Sequence, residues 1–350
     1  MIIKQSNIKN LKNIKEIIKS SLFEFFEYFY NNYYKEIDDY AIIKMDDNAF
    51  ISEAIGYGML IFLYFSKYDL KYIENFNKLF NTYKKCLNQH GLMQWKFENF
   101  YNIDVLNNKF YGSATDADLD VAYSLILASE TYNNDYYLNE AKNIINNIKK
   151  YEIKNNILLP GDYWKDEVLN LSYYDLTYFK KFSTIDDKEY WNKVLENTYS
   201  LFNNNIEKNE NGIFSDWSNI NGYPINEFWN NKNEIVYGYE AVRIPYRLLK
   251  NINNKEYLQK LFYKFYNFLL HQNINNLTSP LDIFNCNKSH YYKEIYTLSF
   301  ILIFYLFDDH NKINEYFEHF LKYKYNEIYY YESALTCLYL IEIFELLNKA

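Results

Sequence analysis

Apolar residues recur at helical spacing through most of the chain, and counting that period predicts twelve helices. In the first half they cover roughly 9–35, 52–66, 71–88, 117–132, 136–150 and 170–183. In the second half they cover roughly 187–205, 239–251, 255–271, 292–307, 310–323 and 331–348. Strands are hard to place, and the chain reads as all-α.

The helices alternate in character. The third carries Tyr72, Phe76, Leu79, Phe80, Tyr83 and Leu87 on one stripe, and the fifth carries Tyr137, Ala141, Ile144, Ile145 and Ile148. One-striped helices of this kind lie on a surface. The second (58–65), tenth (295–307) and twelfth (334–347) are instead apolar nearly all round, as helices buried on every side must be. Even-numbered helices are therefore expected inside and odd-numbered ones outside.

Connections alternate as well. Even-to-odd links are a few residues (67–70, 133–135, 252–254), whereas odd-to-even links run over about 36–51, 89–116, 151–169, 206–238 and 272–291. Such lengths far exceed the connections of a plain bundle. All eight glycines fall in the long links or in the first turns of the helices they feed, and Trp95, Trp164, Trp217 and Trp229 lie there too. Glycine permits unusual backbone shapes and close approach, so this end is where shape is specified. The pattern predicts an (α/α)6 barrel, six inner and six outer helices in a single domain over 1–350, with its working face at the inner-helix N-termini. A helical solenoid would repeat a motif every 34 to 47 residues or so, roughly, and none recurs.

Composition narrows the function classes. A formal charge of -8 with pI near 5.3 argues against tracking phosphates, so nucleic acid is not an expected partner. Cys86, Cys286 and Cys337 are odd in number and far apart, and the five histidines have no HExxH or CxxC companions, so neither a metal nor another cofactor is expected. The longest uncharged apolar stretch, 295–307, is too short to span a bilayer and is bounded by Glu294 and Asp308, so no membrane insertion is expected. The opening residues read as an amphipathic helix, with no leader visible. Most of the 41 Tyr and 27 Phe are packing material; only placement promotes one.

Three acids stand where inner helices begin: Glu53 in SEAIGYGM, Asp116 in GSATDADLD and Glu240 in YGYEAVRIP. Singly, each suits a cap or a macrodipole partner. Together at one rim they suit glycosidic hydrolysis by inversion, in which one carboxylic acid protonates the leaving oxygen and a carboxylate activates water across a gap of roughly 6.5 to 9.5 Å. Arg243, one turn after Glu240, is placed either to pair with a carboxylate or to bond sugar hydroxyls. Pro245 is expected to kink its helix. Asp116, Asp118 and Asp120 copy the opening of a calcium loop, but Val121 and Leu127 stand where that loop needs Gly and Glu. Asp118 and Asp120 are expected to cap the helix or to order Arg243. Trp95, Tyr57, Trp217, Tyr239, Tyr330 and Tyr331 are the aromatics placed to stack on sugar rings.

These segments resemble glycoside hydrolase family 8, which holds endoglucanases, xylanases, chitosanases and the endoglucanase associated with bacterial cellulose synthesis. SEAIGYGM at 52–59 is similar to the family's SEGQGYGM, HGLMQW at 90–95 to its segment ending in a substrate-stacking Trp, and SATDADLDVAYSLILA at 113–128 to its signature. LLPGD, NLSYYD, SDW, YGYEAVRIP and YYYESAL follow in family order, so the resemblance covers most of the chain. By position it implies Glu53 as general acid, Asp116 as the residue holding the distorted sugar, and Glu240 as general base. Glu240 departs from the Asp common in the family; its extra methylene moves the carboxylate by about an ångström, a displacement that can cost roughly a hundredfold in rate. Ala54 and Ile55 replace Gly and Gln, giving the acid apolar company that favours its protonated form.

The resemblance implies an inverting, endo-acting hydrolase of β-1,4-linked glycan, cellulose-like β-glucan first, with xylan or chitosan as alternatives. The other expectation is a glycan-binding relative impaired at Glu240. A polysaccharide or oligosaccharide is the expected partner of a monomer, and relatives are usually exported to the periplasm or outside the cell.

Overall fold

Helix-forming runs become twelve α-helices among the described residues. They are α1 (Leu11–Tyr33), α2 (Ser52–Phe65), α3 (Lys71–Lys85), α4 (Thr115–Tyr132), α5 (Asp135–Tyr151), α6 (Leu176–Phe182), α7 (Lys188–Glu207), α8 (Ile244–Leu249), α9 (Lys255–Leu270), α10 (Glu294–Leu306), α11 (His310–Tyr323) and α12 (Tyr330–Lys349). The computed structural model describes residues 11–46, 49–98, 112–165, 167–226, 235–250, 254–277, 279–284, 286, 288–291, 294–323 and 329–349. Trp229 and the predicted helix ends at 9–10, 251 and 292–293 lie outside the described residues.

Local chemistry sets several boundaries. Asn134 accepts from the Tyr136 amide to start α5, and Asp187 accepts from the Tyr190 amide to start α7. Asn133 ends α4 in the left-handed region at φ 50, which Asn tolerates better than most residues.

The even-numbered helices close a ring: α2 packs on α4, α4 on α6, α6 on α8, α8 on α10, α10 on α12 and α12 back on α2. Outside it, α3 packs on α2, α5 on α4, α7 on α6, α11 on α10 and α1 on α12, while α9 lies against α7 and α10. The chain is thus an (α/α)6 barrel, with the inner and outer assignment that the apolar pattern predicts. Burial on all sides explains the nearly continuous apolar faces of α2 and α12, whereas α5 buries only Tyr137, Ala141, Ile144, Ile145 and Ile148. At Gly56 an added Cβ would lie 2.9 Å from the Asp120 Cβ, so this glycine lets α2 approach α4 closely enough to bring their first turns together. None of the described helices is long and apolar enough to cross a membrane.

Two predicted helices are broken. The segment 170–183 is a 3-10 turn at Leu171–Tyr173 followed by α6, because Tyr174 is extended and Asp175 restarts the chain by accepting from the Thr177 and Tyr178 amides. The segment 239–251 is a 3-10 turn at Ala241–Arg243 followed by α8, with Pro245 in the first turn. Proline there lacks only an N–H that has no helical acceptor, so Pro245 begins the helix rather than kinking it.

Short antiparallel strands, which the sequence pattern does not place, lie mostly in the long links. Tyr34–Ile37 pairs with Tyr40–Ile43, Ala49–Ile51 with Lys96–Glu98, Ile153–Lys154 with Ile157–Leu158, and Val168–Leu169 with Ser218–Asn219. Ser279–Asp282 pairs with both Val236–Tyr237 and Lys288–Tyr291. Runs of two to four residues are too brief to show a period-two pattern, which is why sequence alone does not place them.

Candidate active site

Each candidate acid is carried to the rim by the element before it. The strand Ala49–Ile51 feeds straight into α2, and the Ser52 amide donates to the Trp95 carbonyl at 3.0 Å, so Glu53 in the first turn of α2 sits beside the Trp95 link. Asp116 occupies the first turn of α4. Glu240 precedes the turn Ala241–Arg243, and Asp216 fixes that approach: its Oδ1 accepts from the Gly238 amide at 2.6 Å and from the Ala241 amide at 2.8 Å. A Cβ on Gly238 would meet Asp216 Oδ2 at 2.3 Å, so only glycine fits this close approach.

All three acids converge on Arg243. Its Nη1 donates to Glu53 Oε2 at 2.5 Å, to Asp116 Oδ2 at 2.9 Å and to the Tyr57 hydroxyl at 3.2 Å, while Nη2 donates to Glu240 Oε2. The guanidinium also lies over the Tyr173 ring, 5.2 Å from its centroid. Side-chain exposure rises from 1% at Asp116 to 14% at Glu53 and 28% at Glu240, so the acids form a graded trough with Asp116 at its floor.

Glu53 and Glu240 have further partners. Tyr330 donates to Glu53 Oε1 at 2.9 Å, and Asn170 Nδ2 donates to Glu240 Oε2 at 2.6 Å. Asn170 is itself locked, its Oδ1 accepting from the Ser172 amide and hydroxyl. Burial, opposed by Arg243 and reinforced by Glu53, pushes Asp116 up to about 7. Burial lifts the Tyr57 and Tyr330 phenols above their ordinary range, with the Glu53 charge adding to the effect, so both stay protonated. Burial works against the Arg243 charge, but Tyr57, Tyr331, Glu53 and Asp116 outweigh it and hold the guanidinium ionised.

The predicted aromatics separate by depth. Trp95 and Tyr239 are exposed at 42% and 49%. Tyr331 is partly buried, donates to the Tyr239 carbonyl and meets the Tyr239 ring edge-on at 5.9 Å between centroids. Tyr57 and Tyr330 are buried and act through Arg243 and Glu53. Trp217 is buried with its ring parallel to that of Trp164 at 6.0 Å, which leaves the partly buried Trp164 as the more accessible of the two.

Asp118 and Asp120 neither cap α4 nor touch Arg243, because helical geometry turns them to other neighbours. Ala114 is the cap residue, without a side-chain bond. Asp120 pairs bidentately with Arg247 and accepts from Tyr178, and below it Lys250 pairs with Asp175 at 3.0 Å. Asp118 accepts from Tyr83 and from the Met93 amide. Sequence reading singled out neither Asn170, Tyr173 nor Asp216, although NLSYYD and SDW contain them; only Asn170, a polar residue between Leu169 and Leu171, carried a local signal. Among the described residues no group of three or more His, Cys, Asp or Glu is arranged to hold a metal ion.

Residues 36–341 match the family described as Glycosyl hydrolases family 8. "Endoglucanase 2" of Ruminiclostridium josui is 32% identical over 207 residues, 56% of this chain and 41% of that protein. "Beta-glucanase" of Niallia circulans is 30% identical over 216 residues, 57% of this chain and 52% of that protein. The aligned part is thus about half the length of these curated relatives. Among solved structures, a β-1,3-1,4-glucanase from Paenibacillus sp. X4 superposes with TM-score 0.85 at 21% identity, covering 95% of this chain and 93% of that one. A cold-adapted family 8 xylanase superposes with TM-score 0.75 at 17% identity, covering 94% and 91%. At those identities the likeness concerns the fold.

Proposed function

Since the chain belongs to glycosyl hydrolases family 8, we propose that it hydrolyses a β-1,4-linked glycan, cellulose-like β-glucan first, by endo-acting single displacement with inversion. The observation that carries this reading is the meeting of Glu53, Asp116 and Glu240 on the one guanidinium of Arg243, in a trough open at the Glu240 side.

Glu53 is the general acid. Its Oε1 faces a phenol, Tyr330, that stays neutral and can accept a hydrogen bond from the protonated acid as readily as it donates to the carboxylate. Asp116, at the floor and fixed by Arg243, holds a hydroxyl of the distorted sugar. Glu240 is the base. In the state described it rests on Arg243 and Asn170, which draws it toward Glu53; its extra methylene lets it swing off and leave the gap of roughly 6.5 to 9.5 Å that an attacking water needs. The water oxygen then bonds to the anomeric carbon as its proton passes to Glu240, and the glycosidic bond breaks as the proton of Glu53 passes to the leaving oxygen.

Glucan is placed first because the relatives near 30% identity carry endoglucanase and β-glucanase names. Two measurements test the reading: proton NMR of the first products, and reducing-end release from cellulose derivatives, mixed-linkage glucan, xylan and chitosan. The expected result is inverted product from a glucan and loss of turnover in Glu53→Gln. Retained configuration, or full activity in that variant, overturns it, and binding without release favours a non-hydrolytic glycan-binding protein.

A further inference from the structure

A second pair of acids lies behind the rim. Two residues along α4 is roughly 200° of turn, so Asp118 points away from the side on which Asp116 meets Arg243. It reaches toward Glu152, the residue that ends α5, and both side chains are fully buried. Each carboxyl is half satisfied. Asp118 Oδ1 accepts from the Tyr83 hydroxyl at 2.5 Å and from the Met93 amide at 3.1 Å, and Glu152 Oε1 accepts from the Ser113 hydroxyl at 2.5 Å. Asp118 Oδ2 and Glu152 Oε2 are sealed from solvent and meet no N–H or hydroxyl donor. The two carboxyls are nonetheless close enough for each to shift the other's titration. Two carboxylates cannot bond to each other, since both only accept; a bond between them requires a proton on one.

We propose that Asp118 and Glu152 share a proton and act as a positioning pair, clamping together the two links that carry the Trp95 platform of the cleft. From Asp118 the clamp reaches the 86–95 link through Met93. From Glu152 it reaches the 112–115 link through Ser113, whose amide and hydroxyl also engage Asp162. Gln94 and Ser113 form a β-bridge, the Trp95 amide donates to the Gly112 carbonyl at 2.9 Å, and the Trp95 carbonyl receives the Ser52 amide beside Glu53. A change at the pair is therefore transmitted to both the stacking surface and the start of α2.

The surroundings favour the proton. Facing the pair are Tyr83 from α3, the Met93 amide from its link, Ser113 and Thr115 before and at the start of α4, and the charge of Asp162, which is bonded to Asn88 and His90. Among the described residues no Lys or Arg is ion-paired with either acid. Burial pushes Asp118 up to about 7, and burial followed by the Asp118 charge raises Glu152 well above its ordinary range, which places the shared proton on Glu152. Both folded-state values exceed the unfolded ones. The stabilisation is therefore complete below the unfolded carboxyl range and is lost as pH climbs above that range, the Asp118 share finishing near 7 and the Glu152 share only when Glu152 gives up its proton.

Glu152→Gln is the decisive variant, because its amide donates permanently to Asp118 while its oxygen still accepts from Ser113. The melting temperature of the wild type is expected to fall on the alkaline side of neutrality, with that limb flattened in Glu152→Gln and in Asp118→Asn. An infrared protonated-carboxyl band that persists in mildly alkaline buffer is expected in the wild type and missing from Glu152→Gln. An alkaline limb unchanged in both variants, or an identical band, overturns the proposal. Should neither variant fold, the wild-type band decides: its absence at mildly alkaline pH overturns the pair. The link to Trp95 rests on the proposed function and is read separately, as a KM for glucan that climbs with pH in the wild type and stays level in Glu152→Gln while kcat changes less. The melting and infrared readouts need no substrate, so failure of the glycan reading is distinguishable from failure of the pair.

Discussion

Arg243 and Asp116 form an ion pair, 2.9 Å from Nη1 to Oδ2, that water reaches from neither side, each side chain being 1% exposed. A buried pair of this kind adds little over well-packed apolar residues, yet removing one member strands the other in a medium that cannot solvate it, at a cost of about 3–5 kcal/mol. Arg243 also serves Glu53 and Glu240, so Arg243→Met leaves three acids around no cation. The expected outcome is a loss of stability of about 3–5 kcal/mol in denaturant unfolding, together with loss of measurable turnover. Arg243→Lys is expected to recover part of the stability and little activity, since one ammonium cannot reproduce the two-nitrogen fork.

Glu240→Gln separates the base from the framework. The amide oxygen still accepts from Asn170 and Arg243, and the side chain is the most open of the three acids. Unfolding free energy should stay within about 1 kcal/mol of the wild type, while kcat falls by roughly 10²–10⁴, the range of a lost general base. Glu240→Asp cannot reach Arg243 and Asn170 as Glu240 does; an increase in kcat would show that the longer side chain holds the base back.

How far the sequence foretold this arrangement depends on the length over which each signal is written. Twelve helices and their inner or outer placement are written over long runs of a dozen residues or more apiece, and all twelve appear. The signals that failed are short: Asp175 ending one predicted helix and starting α6, Pro245 read as a kink where it starts α8, and strands of two residues. At the site, the convergence of Glu53, Asp116 and Glu240 was legible from their placement at helix starts. The pairing of Arg243 with Glu240 one turn before it was legible too; its bonds to Glu53 and Asp116 and the partners of Asp118 and Asp120 were not, because those lie on other elements, and nothing local tells Asp120 that Arg247 faces it across the ring.

Gly238→Ala is expected to lower activity more than stability. The new methyl would sit 2.3 Å from Asp216 Oδ2, and Asp216 cannot withdraw without releasing the Gly238 and Ala241 amides that set the approach to Glu240. Overpacking typically costs about 1–3 kcal/mol, whereas displacing Glu240 by an ångström can cost roughly a hundredfold in rate. Comparing kcat with the unfolding midpoint checks the asymmetry; a variant as active as the wild type rules out the proposed control of Glu240 by Asp216.

Asp120→Ala should show the reverse asymmetry. Asp120 bonds Arg247 through both oxygens, one turn below the level of Arg243, and Arg247 is 1% exposed. Losing Asp120 leaves that buried charge only the longer pairing with Asp175, 3.9 Å away, and about 3 kcal/mol of stability should go with it. In the surviving folded fraction, kcat should fall by much less than in Arg243→Met, because no reacting acid touches Arg247.

Trp95 and Trp217 offer a paired test of depth. Both are tryptophans in long links, and both were candidates for stacking on sugar. Trp95 is 42% exposed and tied by its carbonyl to the start of α2, whereas Trp217 is buried against Trp164. A stacking contact is worth about 0.5–1.5 kcal/mol beyond area burial, and 1.4 kcal/mol is tenfold in affinity, so Trp95→Ala should raise KM about tenfold with little change in melting temperature. Trp217→Ala should instead lose about 3–5 kcal/mol of stability, the cost of a cavity left by a large buried ring. Isothermal titration with a glucan oligosaccharide, run on a Glu53→Gln background to prevent hydrolysis, reads the first effect, and thermal unfolding reads the second. If Trp217→Ala instead weakened binding without loosening the fold, the sugar would be reaching deeper into the cleft than Trp95, and the stacking surface would have to be redrawn around the Trp164 and Trp217 pair.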